Sequence, residues 1–414
     1  MATTVRSIGA MPFQGGQFTS NKDGHAMVRL SNSRMIWSYY QTGPNWLAAS
    51  VIDVPGGITG TGTATLTNQQ LLMPMSQDGF MQLGKINQTT FLMITGSRTG
   101  NMTWYVFEVD AQGVFTRVDM GTFGYGTTTS GVAVTGFGQV TFKILELKDN
   151  LVMVTGLNQN SSTTTVLTGF KGAYNTTTKT MAWDGTVTNL LTIQNTSNVN
   201  SFELIVRPIP GRDLTMLQTR YYSANVLDLR GTSGVVINNQ TGAVQVAQIK
   251  LPLNTFAASA GTFSDMVPLP GDRIAYLTTN YSIAWASVDY TAGSFLSLGS
   301  NQFTSVLGAD NLGRHLLPLT ADYVLMMQRQ PLLTPTTNAH RFKVIRRVDQ
   351  NMSEQSAASA QNSNAGFGLN ATPTTIAAFQ QNYPEFIDGK VVWFGLDSAS
   401  APTKFSWTVV SLDA

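Results

Sequence analysis

Phe405-Ser-Trp-Thr-Val-Val-Ser-Leu-Asp413 reads as a strand: β-favouring residues run up to an aliphatic position and then an Asp, with Ala414 after it. The same ending recurs up the chain at Ile52-Asp53, Val109-Asp110, Leu227-Asp228, Val288-Asp289 and Val348-Asp349. A stretch that returns at a regular interval marks a repeated supersecondary unit, so the repeat has to be established first.

Upstream of each ending lies a short apolar run that follows a polar turn. The runs are Met35-Ile-Trp-Ser, Phe91-Leu-Met-Ile, Leu151-Val-Met-Val, Leu214-Thr-Met-Leu, Ile274-Ala-Tyr-Leu, Val324-Leu-Met-Met and Val391-Val-Trp-Phe. Their starts are 56, 60, 63, 60, 50 and 67 residues apart, and the third position is always large. Most are apolar at odd and even positions alike, the pattern of a strand covered on both faces. The turns before them, such as Pro210-Gly211, Pro270-Gly271 and Asp388-Gly389, are hairpin chemistry, because Pro presets φ and Gly accepts positive φ. Aliphatic anchors precede the turns at Leu30, Ile86, Leu147, Ile209, Leu269, Leu319 and Ile387. A third strand carries the aliphatic–Asp ending; only the third unit departs, closing near Gly169-Phe170. A fourth, more polar strand follows at Phe115–Val118, Thr180–Trp183, Ala243–Val246 and Ser294–Leu298.

Four antiparallel strands repeated seven times at this spacing predict an all-β chain, 1–414 as a single seven-bladed β-propeller domain. Its blades start near residues 25, 79, 139, 201, 265, 314 and 384. The last unit lacks a fourth strand. Residues 1–24 have the length of the connection that carries one elsewhere, so Thr4–Phe13 is expected to be the outer strand of blade seven, closing the ring and its open edges. Blade six is irregular: 350–383 is rich in Ser, Asn, Ala and Gln, with Thr374–Phe379 a short strand or helix within it. The loop Arg329–Asn338 before it is also long. Such insertions are favoured places for partner contacts.

Composition excludes several functions. Of 414 residues only 12% are charged, and the formal charge is +2, so no basic face for nucleic acid is expected. There is no Cys, hence no disulfide, thiolate metal site or thiol nucleophile. The first residues lack the apolar core of a signal peptide, and no apolar run approaches a membrane span. His25 and His315 fall at comparable positions at the start of inner strands, and His340 lies in the blade-six loop. No HxH or HExxH spacing accompanies them, so no metal or cofactor is expected. No Gly-rich phosphate loop and no nucleophile elbow occurs. The strand-end Asp residues are read as acceptors for turn backbone, not as catalytic acids.

Candidate partner contacts are few. Alternation in Arg341-Phe-Lys-Val-Ile-Arg-Arg-Val-Asp349 places Arg341, Lys343 and Arg347 on one face. Leu332 and Leu333 sit in the long blade-six loop, and Tyr39 and Tyr40 are loop aromatics with faces suited to stacking on sugars.

The repeat resembles the large, sequence-divergent group of seven-bladed propellers over the whole chain. No Cys, few charges, abundant Thr, Asn, Gly and Ser, and a nearly continuous β reading make the chain similar to tailed-bacteriophage virion proteins. That resemblance implies a non-enzymatic structural or interaction protein of tail, fibre, baseplate or capsid decoration. Such a protein is assembled in the host cytoplasm, has other virion proteins and a host surface glycan as partners, binds no nucleic acid and inserts in no membrane. The alternatives are a carbohydrate-binding extracellular lectin propeller, with similar aromatic-lined pockets in several blades, and a glycan-active enzyme with carboxylates or His converging at the channel.

Overall fold

The computed structural model describes residues 3–12, 25–41, 46–60, 64–66, 69–74, 79–97, 102–123, 142–161, 164–194, 201–223, 226–249, 263–278, 282–302, 314–331, 338–348, 351–355, 385–397 and 404–412. All regular structure among them is β. Strand β1 (Thr3–Pro12) belongs with the last sheet, taken below.

The first sheet holds β2 (His25–Ser31), β3 (Arg34–Gln41), β4 (Trp46–Asp53) and an outer strand in two pieces, β5 (Thr65–Leu66) and β6 (Gln70–Pro74). The second holds β7 (Gly79–Lys85), β8 (Thr90–Ser97), β9 (Met102–Val109) and β10 (Phe115–Phe123). The third holds β11 (Phe142–Glu146), β12 (Leu151–Ser161), β13 (Thr164–Asn175), β14 (Thr180–Trp183) and β15 (Thr188–Gln194), the last two both on β13. The fourth is β16 (Ser201–Pro208), β17 (Leu214–Ser223), β18 (Val226–Asn238) and β19 (Val244–Val246). The fifth is β20 (Phe263–Leu269), β21 (Arg273–Thr278), β22 (Ser282–Asp289) and β23 (Ser294–Gln302). The sixth is β24 (Arg314–Pro318), β25 (Tyr323–Pro331), β26 (Asn338–Val348) and β27 (Asn351–Gln355). The last has β28 (Glu385–Ile387), β29 (Lys390–Asp397) and β30 (Lys404–Leu412), with β1 antiparallel to β30, Thr3 opposite Leu412 and Pro12 opposite Lys404.

The turns follow from their residues. Asp388 and Gly389 both have positive φ, 49° and 75°, as a two-residue hairpin of the primed type requires. At Pro270-Gly271 the proline fixes its own φ and Gly271 takes +74°.

The core lies between sheets rather than within any one of them. In β8, Phe91 and Met93 pack with the first sheet's Leu30, Ile36 and Val51, while Leu92 and Ile94 pack with Phe142, Val152 and Val154 of the third. In β21, Ile274 and Tyr276 face the fourth sheet, and Ala275 and Leu277 face Leu316 and Val324 of the sixth. This is why most of the runs in the second strands are apolar at odd and even positions alike. The same arrangement joins the last sheet to the first, where Ile387, Val392 and Val409 meet Met35, Trp37 and Tyr39. Close approach has a local cost in side chain: on β7, a Cβ at Gly84 would stand 2.1 Å from Ile144 Cγ2 on β11.

Three findings correct or add to the sequence reading. The third strand of the third unit runs past Gly169-Phe170 to Asn175, and that of the fourth runs past Asp228 to Asn238. Asn175 and Asn238 then do the job assigned to Asp: each side-chain oxygen accepts backbone N–H groups of the turn, from Thr177 and Thr178 at 2.9 and 3.1 Å, and from Gln240 and Thr241 at 2.9 and 3.3 Å. Second, the large third positions do not share a face. Trp37, Met93, Tyr276 and Met326 pack toward the preceding sheet, but Met153 and Met216 toward the following one, because runs three and four start one residue earlier relative to their turns. Third, the irregular segment opens with a strand: Asn351–Gln355 pairs with β26. The Thr374–Phe379 segment, Asp349 and Asp413 lie outside the described residues.

Candidate functional site

The sheets expose two chemically different ends. At one end lie the turns between first and second strands and between third and fourth strands. Here charged side chains are spent on the neighbouring sheet. Asp388 accepts from Asn32 and Thr59 of the first sheet. Arg34 pairs with Asp53 at 2.7 Å and donates to the Asp110 and Ala111 carbonyls of the second. Glu108 of the second sheet takes the Tyr174 hydroxyl and the Lys179 ammonium of the third. Lys148 pairs with Asp213, Arg212 with Asp272, and Arg273 with Asp322, stepping from the third sheet to the sixth. Several of these groups have shifted ionisation. Lys148 and Gln240 hold the Asp213 carboxyl below its ordinary value, Arg212 does the same to Asp272, and Asp53 raises Arg34.

The connections that leave the other end join second to third strands and each sheet to the next. Charged residues in them are Lys22, Asp23, Asp78, Arg98, Lys250 and Asp310; the remainder is dominated by Thr, Ser, Asn, Gln and Gly.

Between these ends, the seam of the fourth and fifth sheets carries a buried polar centre that sequence reading missed. Arg207 on β16 donates through Nη2 to both oxygens of Asp265 on β20, at 2.9 Å each, and through Nη1 to the Leu316 carbonyl on β24 at 2.9 Å. Asp265 also accepts the backbone N–H of Met266 (2.8 Å) and of Leu316 (2.7 Å). The Asp265 side chain is fully buried and that of Arg207 is 10% exposed. One guanidinium thus ties the first strands of three successive sheets together. On the same face of β17, two residues beyond the partner of Arg207, Gln218 is fully buried, and its amide has no hydrogen-bond partner among the described residues. Buried charge and buried amide both cost stability unless satisfied. With both Asp265 oxygens engaged by two donors, this centre is built as an anchor rather than as a proton-transfer pair. The sequence signal was an Arg directly after Leu204-Ile-Val206 and an Asp directly before Met266-Val-Pro-Leu269.

The candidate contacts fall out unevenly. Tyr39 is corrected: it is no loop aromatic but lies within β3, which runs on to Gln41. It is fully buried with its ring 4.8 Å from Trp37, and burial pushes its phenol up from the ordinary value. Tyr40 is in the same strand. Arg347 is committed inside its own sheet, its Nε 3.0 Å from Asp322. Arg346, one residue before it, is exposed and its guanidinium stands 5.5 Å over the Tyr323 ring. Arg341, Lys343 and His340 lie on β26; His25 and His315 lie on the first strands β2 and β24, of sheets that are not neighbours. Leu332 and Leu333 lie outside the described residues. Among the described residues no group of three or more His, Asp or Glu is arranged to hold a metal, and no helix is long and apolar enough to cross a membrane.

No protein-family model matches the chain, and no curated protein matches it either. Solved structures resemble it in fold, and they are propeller proteins. Puromycin hydrolase is 13% identical at a TM-score of 0.35, the match covering 90% of this chain and 50% of the hydrolase, so the chain spans half the length of that protein. The periplasmic gluconolactonase of Pseudomonas aeruginosa is 11% identical at 0.43, covering 79% of this chain and 82% of the other. The α-L-arabinofuranosidase of Fusarium graminearum is 13% identical at 0.40, covering 82% and 98%. All three are enzymes by name. The expectation of a non-enzymatic protein is corrected to this extent: the solved structures that share the fold are enzymes by name, and the likeness itself speaks to the fold. That expectation came from a resemblance in composition, and the lack of contiguous catalytic motifs adds little to it in this architecture: groups that meet from different sheets leave no fixed spacing in sequence.

Proposed function

We propose that the chain is a closed seven-bladed β-propeller, with β1 completing the last blade, and that it serves as a docking and host-contact component of a tailed-phage virion. The sheet order and the run of cores from the last sheet through the first to the sixth support the ring. The virion setting rests on the composition: no Cys, 12% charged residues and a polarity supplied by hydroxyls and amides.

The observation that carries the docking role is the division of charge between the two ends. One end spends its charges holding neighbouring sheets together. The other sends out connections nearly free of charge and rich in Thr, Ser, Asn and Gly, on a rigid β scaffold. Recognition surfaces borne on rigid sheets use that chemistry, because small hydroxyl and amide side chains adapt their hydrogen bonding at low entropic cost. In this reading the 332–337 connection, with Leu332 and Leu333, belongs to the contact end, and Arg341 and Lys343 supply its charged border. A neutral host glycan is the second reading, favoured by the same near-absence of charge. Its recognition would be insensitive to salt.

Two measurements test the proposal. Peptide mass fingerprinting of tailed virions encoded by the genome that carries this chain should find it at structural copy number; its absence from the particles overturns the setting. Adding charge to the neutral connections by Thr128→Glu with Thr196→Glu should lower adsorption to the host about tenfold or more while thermal stability stays unchanged. Arg212→Ala, at the other end, should lower stability and leave adsorption intact. The reverse pattern assigns contact to the clasped end.

A further inference from the structure

Five of the sheets receive their outermost strand through a short turn from the strand beside it, as β10 follows β9 across 110–114 and β23 follows β22 across 290–293, and the first receives its own from β4 through the longer connection 54–64. The last sheet is built differently. Its outermost strand, β1, is joined to β2 of the first sheet by residues 13–24 and meets β30 only across a backbone ladder, from Thr3 opposite Leu412 to Pro12 opposite Lys404, interrupted by an irregularity between Ile8 and Met11. Among the described residues β30 is the one element with which β1 pairs. The rest of that sheet does not depend on it for position: Ile387, Val392 and Val409 are fixed in the core shared with Met35, Trp37 and Ile52. If β1 leaves, β28 to β30 stay anchored and β30 presents a row of unpaired N–H and C=O groups from Lys404 to Leu412, which is a template for another strand.

We propose that the β30 edge is a strand-acceptor site and that β1 of a second copy of this chain fills it in exchange for the chain's own. The donor is suited to the task. Thr3-Thr-Val-Arg-Ser-Ile-Gly-Ala-Met-Pro12 carries one charge, matches the register of the same acceptor by identity, and hangs on a connection of 12 residues. That connection reaches about 40 Å at full extension, enough for a neighbouring subunit that packs alongside. Exchange adds no new contact type. It replaces one ladder by an identical one, so its balance is set by concentration against a tether worth roughly millimolar. Dilute folding gives the self-completed monomer, and crowded assembly gives exchanged copies, as a reciprocal pair or an open series.

The absence of Cys makes this directly testable. Val5 stands opposite Val410, and Thr4 opposite Ser411, so the two neighbouring positions sample both spacings of an antiparallel ladder. Val5→Cys/Val410→Cys and Thr4→Cys/Ser411→Cys double variants of the full chain, oxidised after dilute folding, should lock within one chain at one position at least. Single variants carrying different tags are then mixed, unfolded, refolded together and oxidised. A cross-link between residue 5 of one chain and residue 410 of the other, or between 4 and 411, is expected. It should rise about tenfold or more as the refolding concentration is raised about a hundredfold. Locking of the double variants with no heterodimer from the mixed singles at any concentration overturns exchange. Failure of both double variants to lock removes the ladder itself, and the proposal with it.

Discussion

Asp265 has no access to water, and its carboxylate is satisfied by one guanidinium and two backbone N–H groups. Asp265→Ala strands the Arg207 charge in the seam and is expected to cost about 3–5 kcal/mol, read as a lower urea midpoint with an unchanged slope. Arg207→Met with Asp265→Leu should cost much less, since no charge is then left buried; equal losses would show that the pair acts through packing alone. The exposed clasps respond to pH instead. Asp213 and Asp272 are held below their ordinary values in the folded chain, so their contribution is fully present above about pH 4 and is lost as the pH falls through the lowered values. Thermal melts should therefore show a fall in stability below about pH 4 that is shallower in Asp272→Asn. At this scale the sequence was least legible. Tyr39 follows an apolar run and precedes Thr42-Gly-Pro, so its membership of the strand rests on how far the strand continues past Trp37, which only packing decides. Arg207 and Asp265 are 58 residues apart and have no pattern in common until two sheets face each other.

The strand endings show why an element can be legible while its boundary is not. Asp and Asn present the same acceptor oxygen to a turn, so a repeat sought as aliphatic–Asp skips Asn175 and Asn238 and stops too early, at Phe170 and Asp228. Asn175→Asp and Asn238→Asp should therefore leave the melting temperature within a degree or two, while Asn175→Ala costs about 1 kcal/mol; equal losses in both would remove the acceptor role. The first strands carry a different constraint. Gly84→Ala drives a methyl group into Ile144 from a buried strand, with an expected cost of about 1–3 kcal/mol by chemical denaturation. Ile144→Ala in the same chain should recover part of that cost, a positive coupling that strand propensity alone would not produce. Turn chemistry was read correctly because Pro-Gly and Asp-Gly state their φ requirements in the sequence itself.

For the whole molecule, the repeat was the readable quantity, because a strand wedged between two neighbours must be apolar on both faces, and that pattern is visible in sequence. The division of charge between the ends was present in the sequence but had no meaning until the strand directions were known. Deleting residues 1–13 tests the ring: with β1 as the completing strand, the melting temperature should fall and β30 become a site of protease or exchange sensitivity, whereas an unchanged melt removes the closure. The placing of every core in a seam has a last consequence, for how such a chain can change over time. A sheet whose two faces are each cut to fit a different neighbour is a poor unit of recombination, since replacing it demands compatible partners on both sides at once. Variation in length is instead cheap in the connections at the uncharged end, because loops tolerate insertion better than the elements they join. A lineage of such proteins should keep its number of sheets and diverge chiefly in those connections.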